Sequence, residues 1–122
     1  MTLSRTTLAL AALIALCGPS YASPYYGAYT TKAGNCHDEY KVSVSPKSFN
    51  QYENYCKVTK NSTEKSGYKN EVITYLNMKC SSEGEVEYHE VWLQAGEKKG
   101  TVDAFYPRES PARTVVLYHC NR

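Results

Sequence analysis

Three histidines each stand beside an acid or a cysteine, as His37-Asp38, His89-Glu90 and His119-Cys120, and they are the side chains of this chain best suited to acid–base or metal chemistry. Neighbours in a strand point to opposite faces, so none of these dipeptides is a preformed pair. A metal site would need histidines from different strands to converge, and no metal ligand is assigned; the expectation is histidines exposed on the outer faces of strands. Phosphodiester cleavage needs a general base, a general acid and a cation, roles that Glu90, His89, His119 and Arg113 could fill. Nucleophilic catalysis has no Gly-x-Ser-x-Gly elbow to rest on. Neither Gly-x-Gly-x-x-Gly nor a phosphate-binding loop occurs, and no cofactor is expected.

The cysteines speak more plainly than the histidines. There are five, of which Cys17 lies in a segment that reads as a secretory signal: Arg5, an apolar run from Leu8 to Leu16, a Gly18-Pro19 break and a Ser20-Tyr21-Ala22 cleavage pattern, giving a signal over 1–22. Lipid attachment at Cys17 is the minor alternative, because the residue before a lipidated cysteine should be small and Leu16 is not. Cys36, Cys56, Cys80 and Cys120 remain, an even number in an exported chain of 100 residues, which predicts two disulfides formed in an oxidising compartment. None of these four stands at the two-to-four-residue spacing of zinc chelation. With the cysteines oxidised, no thiolate is available as a nucleophile.

The elements that must position these residues read as strands. Tyr40, Val42 and Val44 alternate with polar residues up to Pro46, and a second run lies around Tyr55 to Thr59. In Glu71 to Cys80, Val72, Thr74, Leu76, Met78 and Cys80 share one face. Val86 and Tyr88 share a face of the next run, after which the apolar positions switch to Val91 and Leu93, predicting a bulge near Glu90. Thr101 to Tyr106 and Arg113 to Cys120 complete the set, the last with Val116 and Tyr118 on the face of Cys120. No sustained 3.6-residue stripe follows the signal. The expectation is an all-β fold, an antiparallel meander of about six strands forming a small barrel or sandwich with two disulfides over 36–122. In such a meander the first strand starts where the sixth ends, which favours Cys36–Cys120 with Cys56–Cys80 among three connectivities.

The early cysteine, Cys56-Lys57-Val58, Val91-Trp92-Leu93 and Tyr118-His119-Cys120 together make a layout that resembles small exported four-cysteine proteins of Gram-negative bacteria with no assigned function. The resemblance covers Cys36 to Cys120, rests on spacing, and implies a periplasmic or extracellular location without implying any chemistry. Compact size, two disulfides and abundant tyrosine also resemble small secreted microbial ribonucleases. Those carry a helix packed on the sheet, and none is legible here.

Twelve tyrosines against two Phe and one Trp are the oddest feature of the composition. Tyrosine offers a stiff, amphipathic contact surface at small entropic cost. Tyr40 and Tyr88 are expected in the interior, whereas Tyr25, Tyr26 and Tyr29 fall in a segment, 23–35, that reads as a flexible arm, and Tyr52, Tyr55 and Tyr68 fall near turns. These six are the candidate binding residues, for a protein or glycan partner outside the cytoplasm. Glu83, Glu85, Glu87, Glu90 and Glu97 crowd one hairpin, which as a solvated face needs no explanation but would also suit a basic partner such as a lysozyme-like hydrolase. Asn61-Ser62-Thr63 fits a glycosylation acceptor in a eukaryotic source. A net charge of +2 without a block of like charges gives no footprint for nucleic acid, and a chain of 122 residues has no room for a multidomain enzyme. The expected function is therefore non-enzymatic binding, with a secreted effector or inhibitor of a host or rival enzyme, or a ribonuclease-like hydrolase, as alternatives.

Overall fold

The computed structural model describes residues 22–67 and 71–120. The signal up to Tyr21, with Cys17, lies outside these, as does Tyr68. Eight antiparallel strands follow one another around a closed barrel, β1 (Gly27–Thr30), β2 (Lys41–Val44), β3 (Ser48–Gln51), β4 (Asn54–Lys65), β5 (Val72–Ser82), β6 (Glu85–Ala95), β7 (Thr101–Tyr106) and β8 (Arg113–His119). A short 3-10 turn, Asp38–Tyr40, precedes β2. Among the described residues no helix is long and apolar enough to cross a membrane. The all-β antiparallel expectation holds, with the barrel chosen over the sandwich. The strand number is corrected from six to eight, because β1 and β3 are only four residues long and too rich in turn formers and polar residues for a period of two to show.

Alternation fills the barrel. Val42 and Val44 from β2, Phe49 from β3, Thr74, Leu76 and Met78 from β5, Val91 and Leu93 from β6, Val102, Ala104 and Tyr106 from β7 and Leu117 from β8 are all buried. On β8 the interior face is that of Val115 and Leu117, the reverse of the expected Val116 and Tyr118. The bulge expected near Glu90 falls elsewhere. β5 and β6 pair without interruption from Thr74↔Leu93 to Ser82↔Glu85, and the bulge lies in β4 between Val58 and Lys60.

The segment 23–35 is structure, not a flexible arm. Tyr29 is 1% exposed and Tyr25 6%. The Tyr29 hydroxyl donates to the Tyr25 carbonyl at 2.7 Å, the Tyr25 hydroxyl donates to the carbonyl of Val72, and Tyr26 packs on the core. Tyr25 and Tyr29 join the core and Tyr26 packs against it, because β1 completes the barrel wall. Burial raises the hydroxyl pKa of both Tyr25 and Tyr29 above the ordinary phenol value.

Closure depends on a narrow seam, where β1 meets β8 through Tyr29↔His119 and Thr30↔Tyr118, extended by the Cys120 N–H donating to Ala28 O. The Cys36–Cys120 disulfide ties the β1–β2 connection to the end of β8 across that seam. The expected pairing is found, but not for the expected reason. With β1 added, the meander no longer begins at Cys36, and the two cysteines meet because the chain reverses after Thr30, with Lys32 bridged to Asn35. Cys56–Cys80 joins directly opposed residues of β4 and β5, as expected.

Candidate functional site

Strand lengths decide where the barrel stops and a projection begins. β5 and β6 have eleven residues each, β7 only six, and β7 pairs β6 only from Trp92 to Ala95. The outer part of the β5–β6 hairpin therefore runs past the core. Glu85, Glu87 and His89 occupy the positions that further along β6 belong to Val91 and Leu93, but here that face is open to solvent and the residues are polar. Their neighbours Val86 and Tyr88 face outward, 50% and 75% exposed. This accounts for the apolar switch along β6 without a bulge, and it corrects the assignment of Tyr88 to the interior.

The two faces of the projection differ in character. On the inner face a cleft of about 340 Å³ is bounded by Asn54, Ser82, Glu83, Glu85, Glu87 and His89, with the Cys56–Cys80 bridge at its floor. His89 Nε2 lies 3.1 Å from Glu87 Oε2. A smaller hollow continues from His89 to Gln51, Tyr106, Glu109 and Arg113 at the barrel mouth. Arg113 there lies over the Tyr106 ring at 4.3 Å and pairs with Glu109 at 2.7 Å. Burial pushes the Tyr106 hydroxyl above the ordinary phenol range, against the smaller opposing pull of Arg113. On the outer face, Tyr55, Ser81 and Val86 form one cross-strand row and Lys57, Lys79 and Tyr88 the next.

Tight turns hold this end in place. Gln51↔Asn54 and Ser82↔Glu85 each leave a two-residue loop, Tyr52-Glu53 and Glu83-Gly84. Glu83 and Gly84 both have positive φ (51° and 82°), the geometry of a type I′ turn. Glu53 (57°) and Glu83 are the described non-glycine residues with positive φ, and both carry a carboxylate at the tip of this end of the barrel. Left-handed backbone at a residue other than Gly, Asn or Asp costs about 1–2 kcal/mol, and such positions gather at functional sites.

The candidate residues separate accordingly. Tyr52 (58% exposed) and Tyr55 (64%) lie on the surface as expected, joined by Tyr88 and Val86, which sequence reasoning had placed elsewhere. Tyr25, Tyr26 and Tyr29 belong to the core and leave the candidate set. His37 is exposed in the β1–β2 connection, but His89 and His119 are half-buried on inward positions, which corrects their expected place on outer faces. His119 packs its ring on Tyr29 at 4.8 Å, at the far end of β8 from Arg113. His89 and Arg113 thus share a cavity while His119 is a strand's length away, and Glu90 faces outward to Trp92 and Arg108. Among the described residues no three His, Cys, Asp or Glu side chains are grouped to hold a metal ion. The signal that could have revealed the site was the mismatch between an eleven-residue β6 and a six-residue β7 halted by Pro107.

Compared with known protein families, curated proteins and solved structures, the chain matches none of them.

Proposed function

We propose that this chain is a small non-enzymatic binding protein acting outside the cytoplasm, and that its contact surface is the β5–β6 projection with the adjoining β3–β4 turn. The observation that carries this reading is the concentration of exposed large hydrophobics at one place. Tyr52, Tyr55, Val86 and Tyr88 are the large apolar side chains left half or more exposed among the described residues, and all four sit on that projection or that turn. Exposed apolar groups gathered in one patch mark interaction sites, whereas scattered ones do not. Tyrosine is the residue type most suited to such a surface, since it loses little freedom on contact and keeps a hydroxyl for hydrogen bonding.

Export is supported by the two disulfides, which persist in oxidising compartments, and by the signal-like segment 1–22. The resemblance to small exported four-cysteine proteins is part of the same reading and adds a periplasmic or extracellular setting. The partner is a protein rather than a glycan, because the projection offers carboxylates and tyrosines on opposite faces of one narrow hairpin rather than a broad aromatic platform. A secreted inhibitor or effector is the second reading. It is favoured by Glu83, Glu85 and Glu87 lining one cleft, an arrangement suited to a basic partner such as a cationic hydrolase.

The test is a pull-down with the mature protein in parallel with a Tyr55→Ser/Tyr88→Ser variant. A specific partner retained by the parent and lost by the variant supports the reading. A partner retained equally by both overturns it.

A further inference from the structure

The projection described above carries an unusual backbone feature. Residues 85–91 of β6 pair with β5 on one side, and among the described residues no strand pairs with them on the other, because the β6–β7 ladder begins only at Trp92. The β7–β8 connection reaches the inner end of this edge, where Arg108 Nε donates to Glu90 at 2.8 Å and Glu109 lines a small hollow with His89. Residues 85–89 remain, a stretch of extended backbone with a free side. Unpaired strand edges are templates for pairing with another chain, and proteins that do not use them blunt them with charge or proline.

The barrel has a second such edge, which provides the comparison. The β3–β4 ladder ends at Ser48↔Lys57, extended by the Val58 N–H donating to Lys47 O, and the stretch of β4 beyond it is Thr59-Lys60-Asn61-Ser62-Thr63-Glu64-Lys65. It carries the β-bulge, two lysines and no apolar side chain, and Asn61 Nδ2 caps the carbonyl of Pro46. That edge is protected in the usual manner. The β6 edge also carries charge, in Glu85 and Glu87, but of one sign and on one face only; no proline or bulge interrupts it, and it keeps strict alternation with Val86 and Tyr88 on one face and Glu85, Glu87 and His89 on the other.

We propose that residues 85–89 of β6 form a strand-addition site whose occupant is an extended segment of a partner protein alternating Lys or Arg with apolar residues. The inference rests on the reading that the β5–β6 projection is the binding surface, and it names how the partner is held. A strand added to this edge continues the sheet, so its side chains fall alternately beside the two faces of β6. On the inner face they would stand next to Glu85 and Glu87, beside the cleft that Glu83 also lines, where only cations are well matched. On the outer face they would lie beside Val86 and Tyr88, where apolar side chains remove both from water. The alternation of β6 therefore specifies the complementary alternation of its partner. A second copy of this chain fits poorly, since an antiparallel pair centred on Glu87 sets Glu87 against Glu87.

The test uses a labelled seven-residue peptide alternating Lys and Val, titrated against the mature disulfide-bonded protein by fluorescence anisotropy. Two control peptides accompany it, one alternating Glu and Val, the other the Lys/Val peptide N-methylated at alternate residues so that one edge has no N–H. The expected result is saturable binding of the Lys/Val peptide, with both controls weaker by about tenfold or more, and slowed amide exchange within 85–89. A Glu85→Lys/Glu87→Lys variant should reverse the preference to the Glu/Val peptide. Equal binding of the N-methylated peptide overturns strand addition while leaving the binding surface intact. Absence of binding by any peptide, or concentration-dependent dimerisation through this edge, also overturns the proposal, whereas the reading of the surface itself is judged by the Tyr55/Tyr88 pull-down.

Discussion

The indole N–H of Trp92 donates to Glu90 at 2.6 Å. The other carboxylate oxygen of Glu90 accepts from Arg108, so one carboxylate couples the β6 wall to the β7–β8 connection. The Arg108 hydrogen bond, and then that from Trp92, hold the Glu90 carboxyl below the ordinary carboxylate range, against the smaller opposing effect of burial.

A pH dependence of defined sign follows from that pair. A carboxyl whose folded-state pKa is depressed contributes stability that is fully present above its unfolded value, about 4.3, and is lost as pH falls through the folded value. Asp103 opposes this in the same range, because burial and then Glu97 raise its pKa, and ionising it costs stability as pH rises. The comparison must therefore be between the parent and Glu90→Gln. The stability gap between them, from urea midpoints, should be constant above about pH 5.5 and shrink toward pH 3. Trp92 is the chain's single tryptophan, so its emission should titrate in the parent below the ordinary carboxylate range and remain flat in the variant. A gap independent of pH would remove Glu90 from the account.

The two disulfides should differ in what their loss costs. Cys36–Cys120 spans 84 residues and Cys56–Cys80 spans 24, so restriction of the unfolded chain is worth about 4–5 and about 3–4 kcal/mol respectively. The first also braces the two-pair β1–β8 seam, whereas the second lies within the longest ladder of the barrel. Cys36→Ala/Cys120→Ala should therefore lower the urea midpoint more than Cys56→Ala/Cys80→Ala. It should also accelerate amide exchange at Tyr29 and Thr30 before the rest of the barrel. The reverse order would show that the seam holds without its staple.

Tyr29 measures whether the N-terminal segment belongs to the fold in solution. Truncating a fully buried aromatic leaves a cavity costing about 3–5 kcal/mol, so Tyr29→Ala should unfold the domain or leave it marginal. Tyr29→Phe keeps the ring, loses only the hydrogen bond to Tyr25 O, and should cost about 0.5–1.5 kcal/mol. An Ala variant as stable as the parent would restore the flexible arm.

These results show which parts of the fold could be read from the chain. The inward set Thr74, Leu76, Met78 and Cys80 was legible because β5 is long, fully flanked and backed by core over that stretch, so burial imposes the period of two. β1 and β3 were not, since four residues hold too few alternations and their neighbours are glycines, serines and tyrosines. Val86 and Tyr88 misled for a different reason. Apolar residues in a strand ordinarily point at a core, but β6 outruns β7 and has no core behind that stretch. A six-strand meander implies the same disulfide pairing, while the actual contact depends on β1, whose four residues carry no legible alternation. The acidic hairpin was visible as composition. Its inner cleft was not, because which side of the hairpin faces the barrel mouth depends on register.

Glu83 closes the turn that presents this hairpin, and its left-handed backbone is a cost that a better-matched residue would avoid. At the first position of a type I′ turn before Gly84, asparagine tolerates positive φ through local hydrogen bonding, whereas glutamate does not. Glu83→Asn should raise stability by about 0.5–1 kcal/mol, measured as an upward shift of the urea midpoint with an unchanged slope. The same substitution removes one carboxylate from the cleft, so affinity for a cationic partner should fall as stability rises. Glu83→Asp separates the two effects, since aspartate tolerates the left-handed backbone while keeping the charge, so its stability should rise with binding retained, and adding salt should narrow the binding deficit of Glu83→Asn relative to the parent. A Glu83→Asn protein no more stable than the parent would show that the turn is not strained; one that binds as tightly would show that the carboxylate at this tip does not face the partner.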